Sequence, residues 1–144
     1  MSPHDRQPPP DGIVNALTVD VEDYFQVAAF EDRINRSDWD RWPCRVDANT
    51  HRVLDVFAEH GVKGTFFMLG WVAQRYPELV RRLVAEGHEI ASHGYDHTRL
   101  NEFDPDQLRE DLLRTKGLLE ELAGTAVLGY RAPSYSIGAR NLWA

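Results

Sequence analysis

The chain has 144 residues, a formal net charge of -7 and a single cysteine. That length fits one domain. The acidic balance argues against a nucleic-acid binder, whose surface is normally basic. Cys44 alone excludes an internal disulfide framework and a cysteine-cluster metal site.

Met1 to Gly12 is polar, holds Pro3 and Pro8 to Pro10, and reads as a flexible tail. It lacks the apolar stretch of a secretory signal, so a cytoplasmic location is expected. No apolar run approaches the roughly 18 residues of a membrane-spanning helix. Ile13 to Val21 (IVNALTVDV) is mostly apolar and predicts a buried strand. Glu22 to Asp47 reads as a long loop with one short helix. Its Trp39 and Trp42 suit sugar stacking or ordinary packing. Asn49 or Thr50 can cap a helix carrying Val53, Leu54, Phe57 and Ala58, which Gly61 can end. Lys63 to Leu69 (KGTFFML) is a second strand. Pro77 suits the first turn of a helix with Leu79, Val80, Leu83 and Val84 on one face, closed by Gly87. His88 to Ser92 (HEIAS) is a third strand. Asp104, Pro105 and Gln107 form a capped helix start. Leu108, Leu112, Thr115, Leu119 and Leu122 follow at helical spacing as far as Gly124. Ala126 to Tyr130 predicts a fourth strand. Strands alternating with helices argue for an α/β fold of parallel βα units. Ligand sites in such folds gather at the carboxyl ends of the strands.

Three polar clusters fall at predicted strand ends. Asp20, Glu22 and Asp23 (TVDVED) lie at the end of the first, with Asp20 and Glu22 on one side by alternation. Carboxylates so close repel unless a cation or proton lies between them. His93 and His97 (SHGYDH) follow the third strand, and such a pair can place two imidazoles on one metal. His4, His51, His60 and His88 lack that spacing and read as structural or solvent-exposed. Arg131, Pro133, Ser134 and Tyr135 (YRAPSYS) follow the fourth strand. Arg131 can grip a carboxylate with two prongs, and Pro133 can aim the next backbone N–H groups at an oxyanion. Each cluster alone is compatible with an ordinary loop. Together they supply carboxylates, imidazoles, a cation and backbone donors at one face, which is equipment for metal-assisted hydrolysis.

TVDVED, SHGYDH and RAPSYS resemble the first three motifs of the NodB-homology polysaccharide deacetylases, carbohydrate esterase family 4. GTFFMLGWVA and YPELVRRLVAEGHEIASHGYDH are similar in order and spacing. DVEDYF resembles the branch encoded with exosortase/PEP-CTERM exopolysaccharide systems. The resemblance implies a partial, distorted (β/α) barrel, with residues 13–144 as the amino-terminal part of its domain. It implies Asp20 as base and Arg131 as the residue holding it. Glu22, His93 and His97 become ligands of a divalent metal, zinc foremost, although cobalt and nickel suit the same donors. Val21 interrupts the family's adjacent Asp-Asp pair, so Asp23 competes with Glu22. Pro133 matches the motif proline, and a Ser134 or Tyr135 backbone N–H would serve the oxyanion. The implied reaction is hydrolysis of N-acetyl groups on an amino-sugar polysaccharide. Allantoinase-like amide hydrolysis and an inactive carbohydrate-binding role are the alternatives. The family's general-acid histidine motif does not follow Tyr135. The chain therefore reads as part of a larger enzyme and is expected to be inactive alone.

Overall fold

The structure, a computed structural model, describes residues 15–143. The proline-rich tail and the start of the predicted first strand, Ile13 and Val14, lie outside the described residues. Three short strands, β1 (Thr18–Val21), β2 (Thr65–Met68) and β3 (Glu89–Ser92), form a parallel sheet in the order β1-β2-β3. Thr18, Thr65 and Glu89 share one rung, and Val21, Met68 and Ser92 the last. The crossovers are helical, with α1 (Val46–Glu59) between β1 and β2, and α2 (Gly70–Arg75) and α3 (Pro77–Ala85) between β2 and β3; α4 (Pro105–Ala123) follows β3. The predicted α/β class with parallel strands is the observed one.

The apolar faces explain the layers. Leu54 of α1, Val72 of α2, Leu79 and Leu83 of α3, and Leu119 of α4 are fully buried with Phe66 and Met68 of β2. Each such side chain contributes about 1.5–3 kcal/mol by leaving water. A smaller cluster of Phe25, Ile34 and Trp39 anchors the segment after β1, where Trp39 meets Trp71 edge-on at 5.6 Å. Trp39 is therefore a packing residue, whereas Trp42 is exposed. α4 has the expected ends: Asp104 accepts from the Gln107 N–H, and Gly124 adopts left-handed geometry. Among the described residues, no helix is long and apolar enough to cross a membrane.

Four expectations change. The predicted fourth strand reduces to one bridge between Ser92 and Tyr130. Its backbone is drawn to α4 instead, because the Val127 N–H donates to Glu120 and the Val127 carbonyl accepts from Lys116. α1 starts at Val46, ahead of Asn49 and Thr50, because the Asp23 carboxylate accepts the Arg45 and Val46 N–H groups from a distance. The loop after β1 contains three 3-10 segments, Tyr24–Gln26, Ala28–Phe30 and Arg36–Arg41. α2, unassigned from the sequence, forms because the Gly70 and Trp71 N–H groups find acceptors in the Gly94 and Tyr95 carbonyls.

Candidate functional site

Strand direction decides what reaches the cleft. Val21 turns into the core, and its neighbours Asp20 and Glu22 face a cleft of about 410 Å³ with His93, His97 and Arg131. β3 runs straight into His93. Gly94 then turns the chain back with a φ of +76°, and His97 adopts a φ of +60°. These left-handed turns, natural for glycine and tolerated by histidine, bring the two imidazoles to ring centroids 5.3 Å apart.

Glu22, His93 and His97 each offer a donor atom, and those atoms lie within 4.8 Å of one another. Glu22 Oε2 is 3.6 Å from His93 Nε2 and 2.9 Å from His97 Nε2. It is buried and has no partner of hydrogen-bonding geometry among the described residues. The His93 Nδ1 sits 2.8 Å from the Arg131 carbonyl. A carbonyl only accepts, so Nδ1 carries the proton, and in the neutral ring Nε2 turns a lone pair toward Glu22. A lone pair and a carboxylate at that separation repel unless something positive lies between them. Burial alone would raise the Glu22 pKa, whereas hydrogen-bond donation and positive charge at the two imidazoles hold it down to about 2, so the site favours the carboxylate only when positive charge stands beside it. Two imidazoles and one carboxylate, with one histidine oriented by a backbone carbonyl, therefore fit a divalent cation.

Asp20 is differently held. The Arg131 guanidinium donates to Asp20 Oδ1 at 2.5 Å and to Thr18 Oγ1 at 3.0 Å, and stacks 3.9 Å over the Phe67 ring. Asp20 Oδ2 lies 4.0 Å from His93 Nε2. Asp23 is turned away from the cleft, nearly buried, and accepts N–H groups from Tyr24, Arg45 and Val46. Ser134 and Tyr135 line the cleft, both with positive φ, at 54° and 52°. Pro133, just before them, is buried. A larger hollow of about 780 Å³ shares Ser134 and Tyr135 but holds no metal-type donors, so the smaller cleft is the chemical one.

Some contributors were invisible in the sequence. Thr18 supports Arg131 from within β1. Arg36 donates to the Asp96 carbonyl, and Arg99 pairs with Glu31, tying the loop after β1 to the histidine loop. These partners lie 60 and 68 residues apart, and of the four only Asp96 falls within a motif.

A carboxylate and two histidines at the strand ends of a parallel α/β sheet define the class by layout. Residues 32–143 match the family described as polysaccharide deacetylase. The chain belongs to that family. A peptidoglycan-N-acetylglucosamine deacetylase of Bacillus cereus is 38% identical over 96 residues, 66% of this chain and 35% of that protein. A chitooligosaccharide deacetylase of Bradyrhizobium is 34% identical over 95 residues, 66% of this chain and 43% of that protein. The solved structure of a peptidoglycan N-acetylglucosamine deacetylase with 4-naphthalen-1-yl-N-oxidanyl-benzamide aligns at a TM-score of 0.67 and 30% identity. That alignment covers 89% of this chain and 50% of the other. The chain thus spans less than half the length of the two curated relatives.

Proposed function

We propose that the protein removes N-acetyl groups from an amino-sugar polysaccharide, with Glu22, His93 and His97 holding a divalent ion such as zinc. The convergence of those three residues beside the Asp20–Arg131 pair carries the reading. When bound, such an ion supplies Lewis acidity and acidifies water. Arg131 occupies one oxygen of Asp20 and leaves Oδ2 toward the cluster, which suits Asp20 to accept a proton from the attacking water. Backbone N–H groups at Ser134 and Tyr135 would stabilise the oxyanion, each worth about 3–4 kcal/mol of barrier. The DVEDYF variant supports exopolysaccharide as the polymer.

Calorimetric zinc titration of the wild type and the His93→Ala, His97→Ala double variant tests the metal. Tight binding by the wild type and none by the variant is expected; equal tight binding by both would sink the assignment. The full-length gene product is expected to release acetate from N-acetylated glycans. Turnover of allantoin alone would overturn the substrate class.

A further inference from the structure

The His93–His97 loop is gripped at one peptide plane from two helices. The Gly94 carbonyl of the Gly94–Tyr95 peptide accepts the Gly70 N–H of α2 at 2.9 Å. The Tyr95 N–H of the same peptide donates to Asp111 Oδ1 of α4 at 3.2 Å. The next carbonyl, of Tyr95, accepts the Trp71 N–H at 2.9 Å. The other Asp111 oxygen lies 3.3 Å from where a Cβ on Gly94 would stand, and Pro133 lies 3.9 Å from that point on another approach. The loop therefore fits tightly between α4 and the Pro133 turn. The Tyr95 side chain is held as well: its hydroxyl bonds Gln74, and the Arg114 guanidinium stacks 3.3 Å over its ring.

We infer that Asp111 is a positioning residue: it fixes the Gly94–Tyr95 peptide so that His93, one residue before it, and His97, two residues after it, both face Glu22. Asp111 itself reaches neither imidazole. It acts through a backbone N–H that an aliphatic side chain would leave unpaired. Burial pushes the Asp111 carboxyl up to about 6, partly offset by the Tyr95 N–H.

The inference uses the metal reading for its affinity arm, so the test has a second, metal-independent arm. The variants are Asp111→Asn, which keeps shape and acceptor, and Asp111→Leu, which keeps approximate shape and removes the acceptor. In the metal-free full chain, NMR follows the Tyr95 amide and the ring carbons of His93 and His97. All three signals are expected to move in the leucine variant and to stay near wild type in the asparagine variant. In the calorimetric arm, the leucine variant is expected to bind zinc about 10–100-fold more weakly, with asparagine restoring most of the loss. Should leucine fail to fold, Asp111→Ala carries the same expectation. A merely structural role would lower the melting temperature and leave the histidine signals and zinc affinity of the folded protein unchanged, which would overturn the inference. A wild type that fails to bind zinc would sink the metal reading, while the histidine signals would still decide the role of Asp111.

Discussion

The amino and carboxyl ends of this parallel sheet both hold a buried histidine near a glutamate. At the amino end, His88 precedes β3 and lies between the Phe57 and Phe66 rings. The Gly64 N–H donates to its Nδ1 at 3.2 Å. Nδ1 is thus the acceptor, and neutral His88 presents an N–H from Nε2, 3.9 Å from a Glu86 already engaged by Arg82. At the carboxyl end, the Arg131 carbonyl takes the Nδ1 proton of His93 instead. His93 therefore presents a lone pair to Glu22. The backbone group that meets Nδ1, a donor at one end and a carbonyl at the other, separates a packing histidine from a ligand-like one.

The largest expected effect sharpens the division of labour within the carboxyl end. In the full-length gene product, Asp20→Asn should cut deacetylation about 10²–10⁴-fold, the range for loss of a positioned base. Zinc affinity should stay near wild type, because Asp20 is not one of the three converging donors. Kinetics paired with calorimetry checks both. A collapse of zinc affinity would move Asp20 into the metal set.

Next in size is the amino end. His88→Ala should cost about 2–4 kcal/mol in urea unfolding, as expected when a buried ring is truncated. It should leave zinc affinity unchanged, and a loss there would break the distinction between the two ends. Acid sharpens it further. Burial lowers the His88 pKa below the ordinary 6.5, with the Lys63 charge adding to the effect. The unfolded chain therefore takes up that proton more readily. The stability gained by keeping His88 neutral is complete above about pH 6.5 and is lost as pH falls toward the folded value. Thermal melts from about pH 5 to 7.5 should show that slope in the wild type and a flatter one in His88→Phe.

The two ends were not equally legible in the sequence. The strand-end motifs single out Asp20, Glu22, His93, His97 and Arg131, which the structure brings to one cleft, because period-2 alternation and short spacings are local signals. The caps at Asp104 and Gly124 and Pro77 at its helix start were local too, and all three stand where the sequence puts them. What failed was remote. Asp23, read as a rival ligand, is turned away by the N–H groups of residues 22 and 23 positions later. The Ala126 to Tyr130 segment has strand character, but Lys116 and Glu120 claim the backbone of Val127. Asp111 carries no local signal, because no spacing rule connects a polar residue on α4 to Tyr95.

The smallest expected effect concerns the arginine–aspartate pairs. Arg131–Asp20 sits in the cleft, whereas Arg82–Asp55 joins α3 to α1. Both pairs approach to 2.5 Å. Asp55 is 63% exposed, and Arg82 also donates to Glu86 and to His51. Exposed pairs contribute about 0–1 kcal/mol, and redundancy lowers that further. Asp55→Asn should therefore shift the urea midpoint by less than about 1 kcal/mol of stability and leave catalysis unchanged. Asp20→Asn should be similarly mild in urea and severe in turnover, because Arg131 orients that carboxylate toward the cluster rather than bracing two helices. A loss above about 2 kcal/mol in Asp55→Asn would make the Arg82 network part of what holds the sheet together, against the reading of it as a solvated brace.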